Sequence, residues 1–490
     1  MTNEHSVYQP VLKSRYCRGS PLLKIFSEEN RTLTWRQLWI WLAEAEKELG
    51  LKEVTDEMIC EMTEAKDKIE WDVLRSEEKR LKHDVMAHAY GYGMVCPKAK
   101  GIIHLGATSC FVQDNSDLII QRDAMDVIIK KLALCLKRLA DFSVASAEVV
   151  TVGRTHYQPA SLVTYGKRAA LWSQDLLIVF KDLIRQRDEM RFRGTKGATG
   201  TQDSFLTLFH GDSTKVVELD KLVTAKAGFR HRFSVTGQTY TRLQVPEDTT
   251  LDCDVLYTLA KLGSALKKIC SDIRLLQAFG EIMEPFESEQ VGSSAMPYKR
   301  NPMKSERVCS LARELINAPQ LLLNTVGDQG FERTLDDSAV RRMVIPDSFL
   351  TADAILSIFQ NIIEGLTLQK ENIAIILSTE MPFLCLEKAL MWLCEEGADR
   401  QEAHHKIREV ALVAKEAQKR SSITVESVLN DKFFDKAHVR DRVLELSKNP
   451  LLFTGRCGEQ VKEFLSEELY PVIINYLDDA KLKERITLDV

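Results

Sequence analysis

Residues 117–145 read DLIIQRDAMDVIIKKLALCLKRLADFSVA, and the reading of the fold turns on them. Leu118, Met125, Ile129, Leu132, Leu136 and Leu139 fall along one side of a helix, and neither glycine nor proline interrupts the run. A helix of this length is well beyond the common ~11–12 residues and suits the interior of a bundle. The same spacing returns after Pro159, through Leu162, Tyr165, Leu171, Leu176 and Leu183, with the proline suited to a first helical turn. It returns again from near Pro246, through Leu256, Leu259, Leu262, Ile269, Ile273 and Leu276. Two further stretches cover residues 305–326 and 337–366, the latter expected to bend at Pro346.

Before Gly106 the pattern is shorter and more broken, and after about Lys370 short helices resume. No strand alternation, tandem repeat or low-complexity tract stands out. The expected fold is all-α in three helical domains: an N-terminal domain over residues 1–110, a central long-helix bundle over 111–367 and a C-terminal domain over 368–490. A bundle with apolar stripes on several faces is expected to assemble with copies of itself.

The chain has 490 residues, which at roughly 150 residues per domain agrees with about three domains. Hydrophobic residues at 44% and charged residues at 28% describe a globular chain. No apolar run approaches the ~18 residues of a membrane span, and residues 1–13 hold no signal-peptide core. The eleven cysteines form no C-x-x-C pair, which argues for free thiols in a reducing compartment. These points predict a cytoplasmic protein with no membrane partner, and the net charge of −5 gives no reason to expect nucleic acid. There is no phosphate-loop or zinc-helix motif, and Gly194, Gly197 and Gly200 lack dinucleotide-fingerprint spacing. His83 and His88 lie on different helix faces. Neither cofactor nor metal is expected.

Chemistry is carried instead by polar islands between the helices. Residues 292–302, GSSAMPYKRNP, combine a mobile Gly-Ser-Ser start with a proline-shaped end, a lysine and an amide, groups able to converge on an anionic oxygen. By itself such a segment also reads as a solvated connector. Residues 153–160, GRTHYQPA, place His156 at the mouth of the bundle, where it can protonate a leaving nitrogen, or serve a purely structural role. Lys82, His83 and Asp84 pair with residues 104–109, HLGATS, whose Thr108 and Ser109 can offer hydroxyls to a carboxylate or act as an ordinary N-cap. Residues 331–338, FERTLDDS, followed by Arg341 and Arg342, supply guanidinium forks for a phosphate through Arg333 and Arg342, with Ser338 alongside. Surface ion pairs with Glu332 and Asp336 are the plainer alternative.

Together these islands resemble the fumarase/aspartase superfamily, whose loop pattern G-S-S-x-M-P-x-K-x-N-P is matched in full by residues 292–302. Within it the whole chain is similar to the adenylosuccinate lyases of animal type. The similarity is carried by residues 14–16 (SRY), 191–194 (RFRG), 236–242 (TGQTYTR), 331–338 and 453–456 (FTGR). The resemblance implies β-elimination of fumarate from adenylosuccinate, leaving AMP, and from the succinylated aminoimidazole carboxamide ribotide (SAICAR), leaving AICAR, both in purine synthesis.

The resemblance also implies site roles. Ser293 is the base and His156 the acid, with His83 and Lys299 stabilising charge. Thr108, Ser109, Gln238, Lys299 and Asn301, with Thr155 alongside, grip the succinyl carboxylates. Arg15, Tyr16, Lys82, His83, Asp84 and Arg307 contact the nucleotide, as do Arg333, Ser338 and Arg342 chiefly near its phosphate. It further implies a homotetramer in which three subunits build each active site. Lys82 stands where close relatives usually have arginine, and Arg154 where apolar residues are common. The alternatives are another fumarate-releasing lyase, such as an argininosuccinate lyase without the phosphate set, or a non-catalytic helical scaffold.

Overall fold

The computed structural model describes residues 6–241 and 252–489. The helix start expected near Pro246 and the last residue of the 236–242 motif lie outside the described residues.

Short helices open the chain. Among them α1, Glu28–Glu48, is capped by the Ser27 side chain and buries Trp35, Leu38, Trp39 and Leu42, and α2 spans Asp84–Val95. The long helix α3, Ser109–Ala145, starts earlier than its apolar periodicity suggests, because Thr108 adopts an extended N-cap conformation at the end of the preceding loop. All six apolar positions that mark its one face are buried, and so are Ile120, Ala124 and Leu134 on other sides. At 1.5 Å per residue its 37 residues span about 55 Å.

The helix expected from Pro159 begins only at Tyr165. Residues Val150–Thr155 (β1) and Gln158–Thr164 (β2) instead form an antiparallel hairpin, so strands are present where none was expected. The β-branched residues Val150, Thr151, Val152, Val163 and Thr164 favour strand, and Pro159 sits beside the turn, where its missing N–H is tolerated. Thr164 then caps α4, Tyr165–Glu189, by accepting from the Lys167 N–H at 3.1 Å. Two further two-stranded pieces are only two residues per strand, so the described fold remains helical.

Helix α5, Asp252–Ala278, follows. The single stretch expected over 305–326 is two helices, α6 (Met303–Asn317) and α7 (Pro319–Asp328), because Pro319 cannot donate to the helical ladder. Helix α8, Asp336–Gly365, contains Pro346 and is long and apolar enough by composition to cross a membrane, but 78% of that apolar window is buried inside the fold.

Ion pairs fix the alignment of α3 with α8. Arg341 meets Asp117 at 3.0 Å, Lys131 meets Asp353, and Arg138 meets Glu364 at 2.9 Å, so the two run parallel. The start of α5 joins the same end, where Asp252 accepts from Gln121 and Arg341. The residues just after α5 reach the hairpin, where Glu281 meets Thr151. The bundle therefore has a lower end, at the start of α3, and an upper end, at the hairpin. One apolar core merges the N-terminal helices, the bundle and residues Val461, Phe464, Leu465, Leu469 and Ile473. A second gathers Met381, Leu386, Leu393, Phe434 and Val443 with Val152 and Leu162 of the hairpin.

Glu46 in α1 is fully buried, and neither carboxylate oxygen has a hydrogen-bond partner. Burial pushes its pKa well above the usual carboxylate range. A raised folded-state pKa means that stability is greatest below the unfolded value and falls as pH rises through the folded one. Glu46→Gln is therefore expected to stabilise the protein relative to wild type by a margin that grows as pH rises above the ordinary carboxylate range. Thermal unfolding of both proteins from that range upward checks it, and parallel pH profiles refute it.

Candidate active site

At the lower end His83 forms the extended N-cap of α2, its Nδ1 accepting from the Met86 N–H at 3.4 Å. That leaves Nε2 facing the Ser109 hydroxyl at 3.2 Å. Lys82, at positive φ, closes the helix Trp71–Leu81 and is exposed. Asp84 accepts from Val85 N–H at 2.8 Å, Gln113 at 3.1 Å and Arg342 at 2.8 Å. Burial raises its pKa, but the Arg342 guanidinium and the amide donors outweigh that and hold it below the usual value, so the carboxylate stays ionised.

Thr108, at the N-terminus of α3, accepts from Gln238 Nε2 at 3.4 Å. Gln238 is tightly placed. Its N–H donates to the Glu332 carbonyl at 3.0 Å, and its own carbonyl accepts from Arg193 Nε and Nη2 at 2.9 and 2.6 Å. Its Oε1 accepts from Arg333 at 3.3 Å. Gly237 permits this approach, since a Cβ there would lie 2.3 Å from the Glu332 carbonyl oxygen. Arg333, Ser338 and Arg342 line one cavity together with Arg31 and Gln113. Arg341 lines it too, but Asp117 and Asp252 engage its guanidinium, so its charge is spent on the fold. The arrangement suits a polyanion: guanidinium forks on one side, hydroxyls and an amide at a helix N-terminus on the other.

Arg15, Tyr16 and Arg307 form a separate group. The Arg307 guanidinium lies 5.7 Å from the Tyr16 ring centroid and Arg15 lies 6.0 Å from it, in a cleft shared with Lys131 and Asp353.

At the upper end His156 and Tyr157 are the two central residues of the hairpin turn, both at positive φ (52° and 62°) and both exposed. Non-glycine residues pay about 1–2 kcal/mol for that conformation, and the strained tip carries His156 out of the bundle with Thr155 beside it. Arg154 turns back, donating to Glu281 at 3.3 Å and lying 4.6 Å from the Phe279 ring centroid.

The loop 292–302 follows α5. Ser293 Oγ accepts from the Met296 N–H at 3.1 Å, and Asn301 Nδ2 donates to the Gly292 carbonyl at 2.8 Å. Gly292 allows the loop to fold on itself, because a Cβ there would lie 2.1 Å from the Lys299 carbonyl oxygen. Lys299 itself is exposed. The stems are tied by Glu284, which caps α6 by accepting from Lys304 N–H, Ser305 N–H and Ser305 Oγ at 2.9, 3.0 and 2.9 Å. Burial raises the Glu284 pKa against those donors.

One chain thus brings His83, Asp84, Thr108, Ser109, Gln238, Arg333, Ser338 and Arg342 together, and leaves Arg15, Tyr16 and Arg307 in a second cleft. Among the described residues no hydrogen bond or ion pair joins His156 or Ser293 to the lower cluster, and α3 separates the hairpin from Thr108. His88 and His104 are half-buried packing residues. His88 packs edge-on to Trp35, His104 accepts from Trp39, and burial pulls both down to about 4. No group of three His, Cys, Asp or Glu side chains among the described residues is placed to hold a metal ion. Sequence reasoning missed Arg193, Glu281 and Glu284. The available signal for the last two was the run of residues 281–286, EIMEPF, two acids among apolar residues between α5 and the loop.

A family model described as "Lyase" matches residues 42–316. The chain is 58% identical over 99% of both chains to an adenylosuccinate lyase of Caenorhabditis briggsae. It is 46% identical to one of Schizosaccharomyces pombe, over 95% of each chain. Among solved structures, a fumarate lyase from Mesorhizobium sp. BNC1 superposes with a TM-score of 0.79 at 20% identity, covering 94% of this chain and 100% of that one, which shows the shared fold.

The close approach at Gly237 gives a stability test. Gly237→Ala is expected to cost about 1–3 kcal/mol through the forced shift. Gly327→Ala, in α7 with nothing within 4 Å, is expected to be neutral or to stabilise by ~0.5–1 kcal/mol. Denaturant midpoints of the two variants check it, and equal midpoints refute it.

Proposed function

The chain belongs to the adenylosuccinate lyase family of the fumarase/aspartase superfamily, and from that premise we infer that it cleaves adenylosuccinate to AMP and fumarate, and SAICAR to AICAR and fumarate. The observation that carries the assignment of parts is the division of the candidate residues between the two ends of the bundle.

The reaction removes a weakly acidic C–H proton beside a carboxylate and expels a nitrogen, the amino nitrogen of the purine in adenylosuccinate and the carboxamide nitrogen in SAICAR. Proton removal leaves an aci-carboxylate whose added charge needs donors already in place. In the proposed site Ser293 is the base. The Met296 N–H that bonds its Oγ favours the anionic form, and the nearby Lys299 charge acts in the same sense. Asn301 shapes the loop and, with Thr108, Ser109, Gln238 and Thr155, grips the succinyl carboxylates. His156, presented at the hairpin tip, protonates the departing nitrogen. His83, oriented by its contact with Ser109, adds a donor near the developing charge. Arg333, Ser338 and Arg342 take the phosphate, while Lys82, Asp84, Arg15, Tyr16 and Arg307 contact the rest of the nucleotide. The loop closes over substrate and excludes water.

A rod about 55 Å long between Thr108 and the hairpin keeps one chain from completing this set. Antiparallel neighbours in a homotetramer solve the problem, because the upper ends of two copies can meet the lower end of a third. We accordingly propose sites built from three subunits, with His83, His156 and Ser293 from different chains. The segments 1–110, 111–367 and 368–490 serve as the three helical domains, and eleven free thiols suit a cytoplasmic setting. The phosphate-directed arginines favour this reading over an argininosuccinate lyase, and the joint presence of Ser293, His156, Lys299 and Asn301 favours it over a scaffold.

Ser293→Ala and His156→Ala are each expected to reduce turnover of both succinylated nucleotides by at least ~10³-fold with the tetramer intact. Mixing the two inactive variants is expected to restore activity at about a quarter of the sites, by random assortment of subunits. Absorbance assays and sedimentation measure both. Near-normal activity in either variant refutes its role, and no recovery despite demonstrated subunit exchange refutes the shared site.

A further inference from the structure

Glu281 is a charged side chain with no solvent exposure, and no part of the chemistry above uses it. Its side-chain partners lie in the hairpin that carries His156 and at the exit from it. Oε2 accepts from Thr151 Oγ1 at 2.5 Å and from the Tyr165 hydroxyl at 2.8 Å, and Oε1 accepts from Arg154 at 3.3 Å. Thr151 lies in β1, and Tyr165 is the first residue after β2, so one carboxylate ties both stems. Arg154 is two residues before His156, in the strand opposite the bulge, where the register shifts between Gly153 and Arg154 and Ala160 of β2 is left unpaired. The Arg154 guanidinium is held between this carboxylate and the Phe279 ring, and Arg168 secures the same strand by donating to the Val152 carbonyl at 3.0 Å.

The backbone of Glu281 is fixed independently of its side chain. Its N–H donates to Leu276, its carbonyl accepts from Gln369 at 2.9 Å, and the adjacent Ile282 and Met283 pair with Leu368 and Thr367. The loop bearing Ser293 is tied by Glu284 instead. Neutralising Glu281 therefore loosens the hairpin and leaves the anchors of the loop in place. A two-residue turn at positive φ is a strained support for an acid that must meet a leaving atom within hydrogen-bond reach, and a charged clamp at its root is what holds such a tip in one orientation.

We propose that Glu281 is the positioning residue of the general acid: through Thr151, Tyr165 and Arg154 it fixes the hairpin that delivers His156 to the site of a neighbouring subunit. The proposal rests on the reading of His156 as the acid. It makes Arg154, a departure from the apolar residue common at this position, part of the same clamp.

Glu281→Gln keeps the size of the side chain and removes its charge. The expected result is a fall of about 10- to 100-fold in kcat with KM within about threefold, since Thr155 is the one proposed substrate-gripping residue on the hairpin and the phosphate contacts lie at the other end of the bundle. Subunit mixing then locates the lesion. Glu281→Gln mixed with Ser293→Ala is expected to regain activity, because intact hairpins from one chain meet intact loops from the other. Glu281→Gln mixed with His156→Ala is expected to stay at the sum of its parts, since both lesions fall on the same element. Recovery with His156→Ala, or an unchanged kcat, overturns the proposal. The Ser293→Ala with His156→Ala mixture serves as the control. If it fails, the shared-site reading falls, and Glu281 is judged by its kcat-against-KM split alone. Should Glu281→Gln fail to fold, Thr151→Val and Tyr165→Phe each remove one arm of the clamp and carry the same expectations.

Discussion

The length of one uninterrupted helix governs this molecule. Because Ser109–Ala145 contains no proline or glycine, it forms a single rod, and whatever sits at its two ends cannot meet within a chain. The helices that pack on it share its axis, α8 parallel and α4 antiparallel, and the candidate functional segments all fall at helix ends, where backbone groups are free. Anion-gripping hydroxyls gather at the N-terminus of the rod, where unpaired N–H groups favour negative charge. The proposed proton-transfer groups, His156 and Ser293, sit on the hairpin and loop beyond its far end. In the proposed reading, association of copies is thereby tied to chemistry as well as to burial of apolar faces.

Buried charge keeps the helices in register along that rod. Arg341, almost fully buried, engages Asp117 and Asp252 and lies 3.1 Å from the Tyr240 hydroxyl. Lys131 with Asp353 and Arg138 with Glu364 repeat the pairing further up. Such pairs add little net stability over an apolar substitute, but removing one member leaves an uncompensated charge in the core, so they specify one alignment against sliding by a turn. The cost of that specificity is borne where it matters, since a slip of one turn displaces Gln238, Arg333 and Ser338 relative to Thr108.

The helical class was legible because the apolar period of 117–145 and 337–366 persists for many turns, far longer than a strand can account for. The hairpin was not. Its strands are short, Pro159 fits a helix start as well as a strand beside a turn, and the apolar periodicity of α4 runs back to Leu162 in β2. The break at Pro319 was visible as a residue, yet the flanking periodicity continues across it. At the site, the loop pattern and the polar islands supplied the residues that face outward. Arg193, Glu281 and Glu284 escaped because their task is fulfilled inside the fold, by bonds to groups distant in sequence: Arg193 to the carbonyl of Gln238, Glu281 to Thr151. Only a folded chain reveals a carboxylate whose partners lie more than a hundred residues away.

The contact between Asp84 and Arg342 bears on how a substrate would leave. In the proposed reading an arriving phosphate finds both of its guanidinium partners already paired with internal anions, Arg342 with Asp84 and Arg333 with Asp337. Binding becomes an exchange of one negative group for another, and the reverse exchange accompanies departure. A cavity of bare cations would hold a charged product as tightly as the molecule that gave rise to it. A built-in competitor lowers the depth of that trap on both sides of the reaction, at the expense of affinity, and favours rapid release of AMP.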